Sequence, residues 1–375
     1  MDALEDVAQL GQPSGRSVRV LDVGNEAFLD FFKRELLDEL IAPGGATCRM
    51  FEGPYGSGKS HLLFLLREAA LDRDLAVVHT DLSAGIQLED WPLITQHILQ
   101  NLELRTPTGS VRSLPRILEA ISGRATEVGS DRGRALPHPG FERAMRLFLL
   151  GDQQKGDAWQ LLERFLLGER VGVADLRRAG VAGVKHPLNR RNAQHVLRTV
   201  AGFLLRNGVR GTLLLFDENE EVFKSGKRGP TKRVQYGANL LRRLIDATAS
   251  GGLEGTAAIF ATLPGFLASC AEAYPALGQR VELPGVADDL GWRSPVLPVR
   301  SVAKGMAPET FLEALIDRIV LLAGNVGAGD MIDAPALRRV GDMILSAHAG
   351  DGYRRELMKA VASHTRLRLS PIAAL

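Results

Sequence analysis

The sequence of 375 residues predicts an α/β protein with a parallel β-sheet at its core. A glycine-rich loop lies between an apolar strand and an apolar helix, and further short apolar strands alternate with helices. The last part of the chain shows only helical periodicity. Alternation of strands and helices is typical of parallel sheets, because each crossover helix covers one face of the sheet.

The elements around the glycine-rich loop predict a βαβ unit. A helical pattern over residues 26–41 ends at a Pro-Gly-Gly run, 43–45. The pattern then predicts a short strand at 47–51, an apolar helix at 61–70 and a buried strand at 75–80.

A long insertion separates this unit from the next core strand, which we expect at residues 212–216. Connections in α/β folds are usually a few residues long, so the segment from about 88 to 207 must contain structure of its own. Apolar residues spaced at 3.6 positions predict that it is helical, with helices at 91–104, 114–121, 141–150, 158–167 and 193–206.

The remaining elements complete the core and form a C-terminal helical domain. A helix is expected at 236–249 and a strand at 256–261, and three helices follow at 310–323, 334–348 and 353–364. We therefore predict a core at 1–300 and a small helical domain at 301–375.

The glycine-rich loop has the pattern of a phosphate-binding P-loop. Its glycines allow consecutive backbone N–H groups to converge, and the following helix directs its positive N-terminal end toward the same point. Lys59 is expected to contact the β- and γ-phosphates, and Ser60 to ligate Mg²⁺. The sequence therefore predicts an ATP and Mg²⁺ site at Gly53, Pro54, Tyr55, Gly56, Ser57, Gly58, Lys59, Ser60 and His61.

A second half of this site is predicted where the strand at 212–216 ends. Four apolar residues lead into Asp217 and Glu218, the pattern of a Walker B strand. We expect Asp217 to hold the metal ion and Glu218 to activate the water that attacks the γ-phosphate. An acid pair can also simply be the solvated end of a strand.

Three further residues are candidates for the catalytic centre. Thr262 ends a strand and could contact the γ-phosphate or the attacking water, or merely terminate the strand. Arg280 could enter the active site of a neighbouring subunit, or lie on the surface. Arg354 and Arg355 begin the last helix, where one of them could contact nucleotide; the pattern does not show which, and Arg354 is our candidate.

Composition excludes several other classes of protein. Lys and Arg number 46 against 44 Asp and Glu, so nucleic acid could be bound only through a local basic surface. The 2 cysteines and 8 histidines show no zinc-binding spacing. With no secretory signal and no long apolar run, we expect a cytoplasmic protein without membrane contact.

Six segments of the chain resemble BrxD-type P-loop ATPases of BREX and similar bacterial phage-defence systems. This resemblance implies an AAA+-like core with a helical lid, action on DNA and companion proteins from a defence locus. It assigns phosphate and metal binding to Lys59, Ser60 and Asp217, water activation to Glu218 and the trans arginine to Arg280. The segments are YGSGKSH (55–61), FLLGE (165–169), LRRAGV (176–181), LFDENE (215–220), NLLRRLID (239–246) and TLPGF (262–266).

The best sequence candidate for DNA contact is the basic loop at 224–233, although a solvated loop has the same composition. Our main hypothesis is an AAA+-type ATPase that forms oligomers and acts on DNA in anti-phage defence. The alternative is a nucleotide-gated switch that recruits an effector and hydrolyses little ATP.

Overall fold

A computed structural model describes most of the chain, and all structural statements below concern that part. The described residues are 7, 18–82, 86, 90–122, 135–150, 156–217, 232–281, 291–302, 306–325, 327–347 and 353–373. Glu218 and nearly all of the basic loop at 224–233 therefore lie outside the described residues.

The core is a seven-stranded sheet with the strand order β4-β3-β2-β5-β6-β1-β7. The five strands from β2 to β7 in this order run parallel, and β3 and β4 add an antiparallel edge. The mixed α/β class with a mostly parallel sheet is confirmed. The strands are β1 (Ala46–Glu52), β2 (Ala76–Asp81), β3 (Glu103–Thr106), β4 (Gly109–Arg112), β5 (Thr212–Asp217), β6 (Thr256–Thr262) and β7 (Val296–Pro298).

The central strands are buried on both faces, which explains their continuous apolar sequences. Successive side chains alternate between faces. Leu213 and Leu215 pack in one hydrophobic cluster, with the helices before and after β1, whereas Leu214 and Phe216 face the other, with the insertion. Phe216 stacks on Phe260 of β6 with ring centroids 4.5 Å apart. The insertion thus shares its core with the sheet.

The helices that cover the sheet follow the predicted order. Residues 26–41 are helical as expected, although hydrogen bonding widens to the π type over Phe32–Ile41. Two short helices after β6 and one after β7 were not predicted, nor was the helix at Val173–Arg178. The helices up to the C-terminal domain are α1 (Glu26–Phe31), α2 (Lys59–Leu71), α3 (Trp91–Asn101), α4 (Leu114–Ile121), α5 (Pro139–Leu150), α6 (Asp157–Leu166), α7 (Val173–Arg178), α8 (Ala193–Arg206), α9 (Lys232–Ala249), α10 (Phe266–Ala273), α11 (Pro275–Val281) and α12 (Val299–Val302).

The insertion contains the five predicted helices, but the first of them is shorter than predicted, because α3 ends at Asn101 and a β-hairpin follows. Pro107 and Gly109 lie at the turn of this hairpin; proline lacks a backbone donor, and Gly109 has a φ of 141°. The hairpin pairs with β2 through Val77 and Glu103. The apolar pattern predicts a helix as far as residue 104 because Leu102 and Leu104 continue its spacing.

An ion-pair network connects the hairpin to α2. Glu68, which is 1% exposed, accepts from Arg67 and from Arg105 Nη2 at 2.7 Å. Arg67 also donates to Glu103, and Arg105 to Asp72. A carboxylate so deeply buried requires such partners, since an unpaired buried charge is strongly destabilising.

The C-terminal helices form a separate hydrophobic cluster. They are α13 (Pro308–Asn325), α14 (Ala334–Ala347) and α15 (Tyr353–Ala373), with a 3₁₀ turn at Gly329–Met331. Leu21 and Val23, which precede α1, pack in this cluster beside residues such as Phe311 and Met358. The N-terminal segment thus packs with the C-terminal helices. None of the described helices is both long and apolar enough to cross a bilayer.

We predict that Gly211→Ala destabilises the fold, because Gly211 precedes β5 with a φ of 149°. A Cβ there would lie 2.5 Å from Ile41 Cγ2 and 2.9 Å from the Gly255 carbonyl oxygen. The free energy of unfolding in urea should fall by about 2 kcal/mol or more.

Gly324→Ala is the matched control, because Gly324 lies in α13 with no atom within 4 Å of a built Cβ. That variant should be unchanged or gain up to about 1 kcal/mol from helix propensity. Equal stability of the two variants would contradict the backbone geometry at Gly211.

Candidate functional site

The predicted site residues meet where the parallel strands end. Strand β6 lies between β1 and β5, and Thr262 pairs in register with Glu52 at the last position of β1. On the other side, Asp217 pairs with Asp81 of β2. Ligands of parallel sheets bind in the crevice beyond the carboxyl ends of the strands, which is where these residues lie.

The backbone of the loop after β1 adopts the conformation that its glycines permit. Gly56 and Gly58 have φ angles of 77° and 94°, and Gly58 is the residue before α2. A Cβ on Gly53 would clash with Ser57 Oγ. The Gly53 N–H donates to the Thr262 carbonyl at 3.0 Å, which ties the start of the loop to β6.

Lys59 lies within this loop and is only 8% exposed. Its Nζ donates to the carbonyl oxygens of Gly53 at 2.9 Å and Pro54 at 3.1 Å. The ammonium group is therefore held against the loop backbone at the N-terminal end of α2, where the partial positive charge of the helix also favours an anion.

A cavity opens above the loop and has a polar and an apolar side. The polar side includes Asp217 and residues 55–61 of the loop and α2. The apolar side is formed by the N-terminal segment, α12 and the C-terminal helices. Its apolar residues are Leu21, Val23, Val299, Phe311 and Met358.

Two buried hydroxyl groups without partners lie in the glycine-rich loop and at the end of β6. Ser57 Oγ and Thr262 Oγ1 are buried and make no hydrogen bond with any described residue. Thr262 is 0% exposed, so its hydroxyl has no access to bulk water. Buried polar groups are normally hydrogen-bonded, and an orphaned one at a site suggests a missing ligand or water.

A family model described as BREX system ATP-binding protein BrxC/D matches residues 13–150 and 138–320. The chain belongs to this family. The comparisons with curated proteins and with solved structures gave no match. Family membership confirms the resemblance that the sequence suggested.

The structure of this family member places both arginines of α15 at the cavity. Arg355 donates to the hydroxyl of Tyr55 in the P-loop, with its guanidinium carbon 5.1 Å from the ring centroid. Arg354 lies over Phe311 at 5.0 Å. Both positions are close enough to the site for the predicted nucleotide contact, which remains a prediction.

Arg280 does not line the cavity within its own chain. It lies on α11 and donates to Asp246 of α9 and, at 2.8 Å, to the Ala276 carbonyl. Asp246 also accepts from Arg242 at 2.9 Å. The trans role of Arg280 stays a prediction, and these contacts would hold the side chain in one position.

Sequence reasoning missed His79 on β2. Its Nε2 lies 3.7 Å from Asp217 Oδ2, and its ring packs on Phe64 at 4.8 Å. Parallel pairing of β2 with β5 brings the two residues together. The sequence signal was a polar residue near the end of an otherwise apolar strand.

A second missed group joins the N-terminal segment to α2. Asp22 accepts from Asn25 Nδ2 at 2.5 Å and lies 3.3 Å from His61 Nε2. Asn25 also lines the cavity. No sequence pattern marked residues 21–25, because this short irregular segment acts only through its distant partners.

Neither cysteine lines the cavity. Burial raises the pKa of both cysteine thiols, Cys48 and Cys270, to about 12, so they are protonated at neutral pH. Among the described residues, no group of three or more His, Cys, Asp or Glu side chains is arranged to hold a metal. A single carboxylate with a hydroxyl suits Mg²⁺ bound together with phosphates.

We predict that Thr262→Val slows ATP turnover without weakening the fold. Valine keeps the shape and removes a hydroxyl that has no described partner, so the unfolding free energy should stay level or rise by about 1 kcal/mol. Steady-state hydrolysis should fall about tenfold.

Thr212→Val is the control for this variant, because Thr212 Oγ1 is equally buried and unpartnered at the opposite end of β5. It should hydrolyse ATP at the wild-type rate. Equal rates for both variants would show that Thr262 only ends its strand.

Proposed function

We propose that this BREX family protein binds ATP with Mg²⁺ and hydrolyses it. The observation that carries the proposal is the cavity that the glycine-rich loop and Asp217 line together, at the end of the sheet where Thr262 closes the neighbouring strand β6. The family description supplies ATP as the nucleotide.

Each residue of the site would have a role that follows from its position. The loop N–H groups and Lys59 would bind the β- and γ-phosphates, and Ser60 with Asp217 would hold Mg²⁺, which neutralises phosphate charge when bound. Glu218 follows Asp217 in the chain and would take the proton from the attacking water. Thr262 would orient that water or the γ-phosphate from β6.

The apolar side of the cavity suits the base of the nucleotide. Leu21 and Val23 oppose Phe311 and Met358 within one hydrophobic cluster, and Asn25 adds an amide at its edge. An apolar slot with a few polar groups is the usual form of such a subsite. The C-terminal helices would then act as a lid.

We also propose an AAA+-like core and an oligomeric assembly. The order of β2, β5, β6, β1 and β7 supports an AAA+-like core. In this order β6 lies between β1, which leads into the P-loop, and β5, which ends at Asp217, so Thr262 at the end of β6 lies between them. We propose that the protein forms oligomers, in which Arg280 serves a neighbour, and acts on DNA with other BREX proteins in the cytoplasm.

One observation favours the alternative of a nucleotide-gated switch. Arg355 of α15 contacts Tyr55 of the P-loop directly, so nucleotide in the loop would compete for this guanidinium. Occupancy could thereby move the C-terminal helices even with slow hydrolysis. Turnover measurements decide between the two functions.

We predict that Lys59→Ala abolishes ATP binding measured by isothermal titration calorimetry. Removing the ammonium group takes away the main cation in the loop. Lys33→Ala changes a lysine that lies before β1 and does not line the cavity, and it should bind ATP normally. Normal affinity of Lys59→Ala would refute the phosphate site.

Glu218→Gln should retain ATP binding and lose at least about 100-fold in hydrolysis, because glutamine cannot accept the proton of the attacking water. The measurement is phosphate release at saturating ATP. If the wild type releases no phosphate with or without DNA yet binds ATP tightly, the switch is the better description.

A further inference from the structure

The insertion carries a concentrated positive charge that the ATP site does not use. Residues 170–191 contain six basic residues and one acidic residue, Asp175, in a chain whose formal net charge is only +2. All six basic side chains are exposed. We call them the insertion basic face: Arg170, Arg177, Arg178, Lys185, Arg190 and Arg191.

The charges of this face are largely uncompensated. Arg178 pairs with Asp175. The other five basic side chains form no ion pair with any residue in the described part of the chain. Exposed cations without nearby acids create a positive potential that attracts polyanions.

Buried neighbours fix the orientation of this segment. Val171, Leu176, Val181 and Val184 are all buried in the core that the insertion shares with the sheet. The backbone at Gly180 accepts from Arg143 Nε at 2.7 Å. Because the apolar residues anchor the chain inward, the basic residues between them are held toward solvent.

The loop before α8 is ordered by two asparagines. Asn189 Oδ1 accepts from the Arg191 N–H at 2.8 Å, and Asn192 Oδ1 accepts from the Asn189 N–H at 2.7 Å. Both amide nitrogens donate to the Pro187 carbonyl. Arg190 and Arg191 therefore project from a loop whose backbone is internally hydrogen-bonded, which lowers the entropy lost on binding.

An exposed arginine of α9 contacts the start of α8, directly after the basic segment in the chain. Arg243 is exposed, and its Nη2 donates to Gln194 Oε1 at 2.8 Å, close after Arg190 and Arg191 in the chain. This hydrogen bond connects the start of α8 with the helix that follows the basic loop of residues 224–233.

The residue types of the insertion basic face indicate which class of ligand it can bind. Arginine, which dominates it, binds phosphate in a bidentate manner. Protein interfaces have apolar and aromatic centres, and single-stranded DNA is bound on aromatic platforms. Among the described residues of 156–217, no large hydrophobic side chain is exposed. A duplex, which offers phosphates and hides its bases, fits this surface.

We propose that the insertion basic face binds the phosphate backbone of duplex DNA without reading its sequence. This inference rests on the proposed action on DNA and assigns it to a surface remote in sequence from the P-loop. The basic loop at 224–233 is the alternative candidate for the main DNA contact.

The test is fluorescence anisotropy with a labelled DNA duplex of about 30 base pairs, three helical turns. The variant is Arg177→Gln/Lys185→Gln/Arg190→Gln/Arg191→Gln. We expect at least about tenfold weaker binding, and a salt-dependence slope reduced by about one for each phosphate that the variant no longer neutralises. ATP affinity and the thermal midpoint should be unchanged, because the four side chains are exposed and do not line the cavity.

Two control variants make the result specific. Arg338→Gln/Arg339→Gln removes an exposed arginine pair on α14 and should bind like the wild type. Arg190→Lys/Arg191→Lys keeps the charge and should retain most of the affinity, which separates the loss of phosphate binding from a local folding defect.

Some outcomes overturn the inference while leaving the ATPase proposal intact. If the fourfold variant binds duplex as the wild type does, or if only Lys227→Gln/Arg228→Gln loses binding, the face is not the contact. Equal affinity of the wild type for poly-glutamate would assign the face to acidic proteins. If the wild type hydrolyses ATP but binds no duplex, the proposed action on DNA fails together with this inference.

Discussion

The pairing of β6 between β1 and β5 is the constraint on which the rest of the site depends. In-register parallel pairing brings Thr262 beside the end of β1, and the Gly53 N–H completes the contact by donating to the Thr262 carbonyl. Because β5 pairs on the other side of β6, Asp217 reaches the same edge. A slip of one residue in either pair would turn these side chains to the opposite face of the sheet.

Helix α2 connects this edge with the insertion. Its first residue is Lys59, and its second half carries Glu68, which is buried against Arg67 and Arg105. Removing one partner of such a buried pair typically lowers the free energy of unfolding by about 3–5 kcal/mol. These ion pairs therefore stabilise the packing of the hairpin against α2. The insertion therefore packs on the same sheet as the glycine-rich loop and is joined to α2 by this network.

The cavity depends equally on the ends of the chain. Leu21 and Val23 pack with the C-terminal helices, and Arg355 contacts Tyr55, so one wall of the site is built from segments near opposite ends of the sequence. Hydrophobic burial holds this wall together, whereas the opposite wall is a hydrogen-bonded loop. Under the proposed function, a nucleotide would contact both walls, so its binding would couple the glycine-rich loop to the C-terminal helices.

The sequence alone determined the α/β class, the glycine-rich loop before α2 and the strand that ends at Asp217, because these depend on local patterns: glycine spacing, apolar runs and the period of each element. It failed at the β3–β4 hairpin, where Leu102 and Leu104 extend the apolar pattern of α3 past its end. Only the tertiary structure placed His79 beside Asp217 and Leu21 at the cavity, since both contacts join segments distant in the chain. It also showed that all six basic side chains at 170–191 are exposed, because buried neighbours that no local pattern identifies anchor the backbone between them.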